Sequence, residues 1–370
     1  MRKTGLVTHE LYFWHNTGEA AAFLPPGLTI QPDKHAENAE TKRRLLNLLN
    51  VAGLADSLTT IPPRLANNND LLSFHTQAYI DSIREMSDAN GGDAGELTPF
   101  GPGSYEIALM SLGGCLEAMD RMMEGHVDNA YCLVRPPGHH AEPEMGRGFC
   151  IFGNGVITAN YARDVHGMGR IAIVDWDVHH GNSQQGAFYQ DSGVLTISIH
   201  QDNFYPPMSG ALEERGKGKG EGEGYNINVP LPPGSGDGAY RKAFEDVVLP
   251  ALEAYQPELI IVSSGFDGSA IDPLGRNMAT SETYRYMTES LVAAAEKLCH
   301  GHLLCIHEGG YSTAYVPYCG LAVMEALSGL KTELEDPFLP IVGGMGGQEC
   351  QPHQAALIAW VAESAPLLKR

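Results

Sequence analysis

No run of apolar residues in the 370-residue chain is long enough to span a bilayer, and residues 1–9 are too sparsely apolar for a secretory leader. The expectation is a cytoplasmic protein with no membrane partner. Basic residues are scarce: 24 Lys and Arg stand against 45 Asp and Glu, a formal charge of −21. Such a chain repels a phosphate backbone, so no nucleic-acid partner is expected, while acidity serves solubility and could also draw in a cationic partner. The seven cysteines form no Cys-x-x-Cys pair and several lie in apolar segments, so they read as buried free thiols in a reducing compartment, not a disulfide frame or a zinc finger. A phosphate-cradling Gly-x-x-x-x-Gly-Lys-Ser/Thr loop is missing, as is any serine or cysteine in a nucleophile motif. Internal repeats and linker-like gaps are missing too, and residues 1–370 read as one domain.

What the chain does contain is a series of short apolar runs that read as strands, at 5–8, 130–134, 169–174, 194–200, 259–264 and 303–306. Between them lie segments of helical periodicity at 37–56, 74–87, 104–124, 154–166, 182–190, 237–255, 280–300, 320–329 and 354–368. This alternation predicts an α/β fold with a mainly parallel sheet flanked by helices. Residues up to 36, with Pro25-Pro26 and Pro32, read as an irregular arm. The Gly-Lys and Gly-Glu run at 213–224 reads as a solvated loop.

Polar clusters follow the strands directly, at 135–140, 175–182, 198–200, 265–267 and 308–311. In a parallel sheet the carboxyl ends of the strands open onto one crevice, so these clusters should meet there. Asp177 and His179 are two apart and point the same way if the chain stays extended. A lone Asp-x-His is usually a capped strand end; with Asp267 at the end of another strand it reads as a divalent metal site, two carboxylates and one imidazole suiting zinc with an open position. His139 and His140 follow the rigid Pro136-Pro137-Gly138 turn and are the candidates for a catalytic base. Asp175 and Asn182 are suited to fix their tautomers, and Tyr311, after Gly309-Gly310, can offer its hydroxyl to an oxyanion. Phe149 could wall a pocket or sit in the core, and His75 reads as a packing histidine.

Read in order, Arg135-Pro136-Pro137-Gly138-His139-His140, Gly148-Phe149-Cys150, Asp175-Trp176-Asp177-Val178-His179-His180-Gly181-Asn182, Ser264-Gly265-Phe266-Asp267 and Glu308-Gly309-Gly310-Tyr311 resemble the zinc-dependent histone deacetylase family. The resemblance is greatest to its bacterial class II-like amidohydrolases and spans nearly the whole chain. It implies the arginase-deacetylase fold, with a central sheet of eight strands. It also implies one catalytic zinc on Asp177, His179 and Asp267. His139 would pair with Asp175, and His140, the general base, with Asn182; Tyr311 would be the transition-state tyrosine. One or two structural potassium ions follow from the resemblance alone. The first would use Asp175, Ser198 and the carbonyls of Asp177, His179 and Ile199. The second would use carbonyls of Phe188, Asp191, Val194 and Tyr225. An acyl-lysine stem would thread a tunnel walled by Gly148 and Phe149 on one side, with Leu274 at its entrance. On the other side the family usually has phenylalanine before a proline; this chain has Tyr205, preceded by Phe204. The family's substrate-gripping acid falls in the loop 93–103, where no residue stands out.

The function expected is removal of acetyl or related acyl groups from the ε-amine of lysine. Acetylpolyamine deacetylation is the alternative within the same chemistry, and a non-catalytic acyl-lysine binding protein the alternative outside it. Arginase-like ureohydrolysis is more remote, because it needs two metals and more carboxylates. The arm at 14–36 and the carboxyl-terminal tail are candidate contacts in a homo-oligomer.

Overall fold

The computed structural model describes residues 2–210 and 218–369. Within them, eight strands form one sheet: β1 (Thr4–Val7), β2 (Thr59–Ile61), β3 (Asn129–Cys132), β4 (Ile171–Asp175), β5 (Val194–Gln201), β6 (Asn226–Leu231), β7 (Leu259–Ser264) and β8 (Leu303–His307). Their spatial order is β6-β5-β4-β7-β8-β3-β1-β2, and every neighbouring pair is parallel.

Both faces of this sheet are covered, which is why the central strands β4, β7 and β8 each carry a run of four apolar residues. Ala172 and Val174 of β4 pack into one buried cluster, while Ile171 and Ile173 pack into the other. The alternation repeats in β7 and β8: Ile260, Val262, Leu303 and Cys305 face the first layer, Leu259, Ile261, Leu304 and Ile306 the second.

Two strands have no counterpart in the sequence reading, and both lie at the edges of the sheet. β2 is three residues long with exposed threonines, and β6 interrupts its apolar residues with Asn226, Asn228 and Pro230. An edge tolerates these interruptions, because proline there gives up no ladder bond on its outer side.

Helices stand where periodicity puts them, including Glu40–Val51, Gln77–Asp88, Ser104–Met123, Ser281–Leu298, Val316–Ser328 and Pro352–Ser364. The segment 237–255 is broken by a π-turn over Phe244–Val248 just before Pro250, whose missing N–H an unbroken α-helix would leave as a gap in its ladder. The arm is more regular than expected. It forms a 3₁₀ turn at Glu10–Trp14, and Glu19–Ala20 pairs antiparallel with Asp33–Lys34. Of the glycine-rich run at 213–224, residues 213–217 lie outside the described residues and Gly220–Gly222 forms one 3₁₀ turn. All seven cysteines are free; six are buried and Cys350 is half-buried. Among the described residues no helix is long and apolar enough to cross a membrane.

β4 and β7 are neighbours although β5 and β6 separate them in the chain. The connections leaving their carboxyl ends diverge, and the crevice this opens is where a ligand site forms in such sheets.

Candidate metal centre

The loop after β4 is folded by its own acids. Asp177 N donates to Asp175 Oδ1 at 3.0 Å, and His179 N donates to Asp177 Oδ1 at 2.9 Å. Two further loops close on it: Asp267, after β7, accepts Val178 N at 2.7 Å, and Gly309 N, after β8, donates to Asp177 Oδ2 at 2.9 Å. Three chain segments that are remote in sequence are thereby brought to one point. His179 Nδ1 lies 3.1 Å from Asp177 Oδ1 and 3.1 Å from Asp267 Oδ2.

These spacings suit a cation. Ligands about 2.0 to 2.2 Å from a tetrahedral zinc stand roughly 3.3 Å apart. Asp177 and Asp267 are fully buried, and two carboxylates with one neutral imidazole carry a charge that buried groups sustain only when paired or bound to a metal. Burial and the neighbouring Asp177 charge push Asp267 up to about 6. Burial opposes a charge on His179, yet Asp267 and Asp177 push it up to about 10. The backbone leaves room only for this arrangement: a Cβ on Gly265 would lie 2.1 Å from Asp177 Oδ2, and one on Gly309 would lie 2.2 Å from Asp267 Oδ2.

Beside the centre, His139 Nδ1 is 3.0 Å from Asp175 Oδ2, and His140 Nδ1 is 2.8 Å from Asn182 Oδ1. The two imidazoles lie 3.9 Å apart, centroid to centroid. Their environments drive them apart electrically. Burial disfavours a charged His139, but Asp177 and Asp175 outweigh it and raise the pKa well above the usual imidazole value. For His140 burial and the His139 and His179 charges act together, and its pKa falls well below that value. His140 is the neutral partner. Burial, with Asp267 and Asp177 nearby, holds the Tyr311 phenol well above its ordinary value, so it stays protonated.

A cavity of about 270 Å³ leads to these groups, lined by Phe149, Phe204, Tyr205, Leu274, His140, His179 and Tyr311 among others. Phe204 stacks on His179 at 5.4 Å, Tyr205 meets His140 edge-on at 5.1 Å, and Phe149 meets Tyr311 edge-on at 5.8 Å. Phe149 is thus both nearly buried and a wall of the cavity, and Gly148, Phe204, Tyr205 and Leu274 all line the same space. A larger cleft of about 580 Å³ around Arg285 and Glu325 contains none of the converging histidines and acids.

Residues named for ions by resemblance alone are placed as follows. Asp175 and Ser198 are register partners on β4 and β5, and Ser198 Oγ lies 2.9 Å from His200 Nδ1. The carbonyls of Phe188 and Tyr225 accept Asp191 N and Thr196 N at 3.0 and 2.9 Å. His75 is a packing residue: buried among Phe74, Tyr79 and Phe152, it accepts Gly153 N at 3.0 Å.

Sequence reasoning missed two carboxylates. Glu308 is fully buried, accepts Gly138 N and His139 N at 2.7 and 3.2 Å, and is pushed by burial up to about 7. Asp272 accepts three backbone amides around the cavity. Glu308 has no partner nearby in sequence, and of the three partners of Asp272 only Leu274 N is close, the other two lying about 40 positions away. Phe23, Leu97, Pro273 and Arg276 also line the cavity, and only folding brings these three segments together.

Residues 35–327 match the histone deacetylase domain. The chain is 47% identical to the histone deacetylase-like amidohydrolase of Pseudomonas aeruginosa over 91% of its own length and 89% of that protein's. It is 36% identical to histone deacetylase 8 of Arabidopsis thaliana, covering 90% of this chain and 92% of that one. The crystal structure of the HDA15 HD domain superposes with a TM-score of 0.84 at 32% identity, covering 100% of this chain and 96% of that one.

Proposed function

The chain belongs to the histone deacetylase family of deacetylases and amidohydrolases, and from that premise we propose that it is a zinc-dependent amidohydrolase removing acetyl or related acyl groups from the ε-amine of acyl-lysine. The observation that carries this reading is the meeting of Asp177, His179 and Asp267 with His140 and Tyr311 at the end of one apolar cavity.

The walls do the first part of the work. Phe149, Phe204, Tyr205 and Leu274 enclose an aliphatic stem and keep bulk water from the amide. When bound by Asp177, His179 and Asp267, zinc supplies a Lewis acid that polarises a carbonyl and acidifies water. The proton released by the attacking water goes to His140. Asn182 Nδ2 donates to the His140 carbonyl at 3.0 Å and to Glu142 Oε1 at 3.2 Å, which aims its Oδ1 at His140 Nδ1. Nδ1 therefore carries the hydrogen, and Nε2 is the free base. Attack breaks the carbonyl π-bond, and the Tyr311 hydroxyl donates to the oxygen as charge develops there. Protonated His140 returns its proton to the leaving amine as the C–N bond breaks, giving the free lysine and the carboxylic acid.

Potassium ions at Asp175 and Ser198 and at the carbonyls of Phe188, Asp191, Val194 and Tyr225 belong to the same reading, supported by the pairing of β4 with β5. The formal charge of −21 favours one second reading, a cationic acylpolyamine as substrate. Turnover of an acetyl-lysine peptide against acetylputrescine and acetylspermine by the zinc-loaded protein separates the two; turnover of the polyamines alone would replace lysine. Binding of acyl-lysine with no hydrolysis of any acyl-amide would leave a binding protein. For Tyr311→Phe the expected kcat loss is about 10² to 10³, the usual cost of one oxyanion donor, with zinc content unchanged. Full activity in that variant would remove Tyr311 from the reaction.

A further inference from the structure

We infer that Asp272 is a positioning residue that ties the Tyr311 loop to the Leu274 segment of the cavity wall through a single carboxyl group, an assignment that rests on the function proposed above. Its Oδ2 accepts Tyr311 N at 2.6 Å and Ser312 N at 3.1 Å, and its Oδ1 accepts Leu274 N at 2.8 Å. Leu274 belongs to the loop after β7 and Tyr311 to the loop after β8, and both line the cavity. Asp272 is 7% exposed, so water competes little for these bonds.

The restraint is placed where the chain has most freedom. Tyr311 follows Gly309 and Gly310, and Gly310 sits at φ +118°, a conformation other residues rarely adopt. Gly309 lets the loop approach Asp177 and Asp267 closely and Gly310 lets it pass Phe266, at the cost of a flexible approach to Tyr311. Fixing the amides of Tyr311 and Ser312 removes that freedom from the residue whose hydroxyl must meet the oxyanion. Because Leu274 N shares the carboxylate, the position of the phenol and the width of the entrance are set together.

In the zinc-loaded enzyme, D272N replaces one acceptor oxygen by an NH₂ that faces backbone donors and cannot accept from them. The expected loss in kcat on an acetyl-lysine peptide is about 10- to 100-fold, the scale of losing a group that orients an active-site residue, with zinc content unchanged. In a Y311F background the same substitution should cost kcat less than about threefold, because the group it positions is already gone. Any KM change arising through Leu274 should persist in both backgrounds. Amide hydrogen exchange supplies a readout that needs no turnover: exchange at Leu274, Tyr311 and Ser312 should quicken in D272N and stay unchanged in Y311F. Should D272N fail to fold, D272E, which keeps both acceptor oxygens but displaces them by one methylene, is expected to show the same exchange pattern and a smaller kcat loss. Unchanged exchange at the three amides, wild-type kcat, or an equal kcat loss in both backgrounds would overturn the assignment. A wild-type enzyme that hydrolyses no acyl-amide would instead overturn the proposed function, and the exchange measurement would still decide the role of Asp272.

Discussion

Asp267→Ala is expected to lose its metal and its activity together while keeping the fold. The substitution removes one of three donors and leaves Asp177 and His179, too few to hold a catalytic zinc. It also frees Val178 N, which donates to Asp267 Oδ1 at 2.7 Å, so the loop carrying the other two ligands loosens. Metal content measured on purified protein should drop from about one ion per chain to a small fraction of that, and turnover should drop with it. A variant that holds stoichiometric metal, or hydrolyses at the wild-type rate without it, would remove Asp267 from the centre. The same pair sets the pH response. With Asp267 pushed up to about 6 and His179 up to about 10 in the metal-free site, a cation must displace protons to bind. Affinity should therefore fall as pH drops, most steeply below about 6, where a titration of metal binding against pH would read it.

Glu37→Gln is expected to destabilise the protein by about 3 to 5 kcal/mol, the cost of leaving buried charges without their partner. Glu37 and its two cationic partners, Arg135 and Lys42, are all 1% exposed. The Arg135 guanidinium spans both carboxylate oxygens, with Nε to Oε1 at 2.8 Å and Nη2 to Oε2 at 2.8 Å, and Lys42 Nζ reaches Oε1 at 3.1 Å. Arg135 also donates to the carbonyls of Tyr12 and His15, so this cluster fastens the amino-terminal arm to the loop carrying the tandem histidines. One acid already serves two bases, and a neutral side chain leaves both uncompensated. His15 adds no third cation, because burial and the Arg135 charge push it down to about 3.

The sign of the pH effect follows from Glu37. Burial alone would raise its pKa, but Arg135 and Lys42 outweigh burial and hold it well below the usual carboxylate range. A depressed folded value stabilises the fold fully above the unfolded value, about 4.3, and the stabilisation is lost as pH falls toward the folded value. Urea unfolding should thus show a lower midpoint for the variant at neutral pH with an unchanged slope, and a gap from wild type that narrows in acid. A midpoint equal to wild type at neutral pH would mean that the cluster contributes nothing.

The strands that build the centre were the easiest to read, because both faces of a parallel sheet are buried and β4, β7 and β8 carry unbroken apolar runs. The edge strands β2 and β6 were not, since exposed threonines in β2 and the asparagines and proline of the buried β6 leave no such run. Asp177 and His179 announce themselves by their spacing, and the motifs through Asp267 and Tyr311 made the family recognisable. The carboxylates of Glu37 and Asp272 left no comparable trace, and Glu308, though part of the 308–311 motif, gave no sign of its role. Each is defined by backbone amides or cations that the chain contributes from elsewhere; Glu308 meets Gly138 from 170 positions away.

The amino-acid sequence by itself determined which residue types would stand at the carboxyl ends of the strands, because periodicity and turn chemistry act over a few residues. Only the tertiary structure decided which of the other buried acids holds a turn and which pairs with a cation. A carboxylate's task is set by the donors packed around it, and those donors arrive with the crossing of strands that lie far apart in the chain.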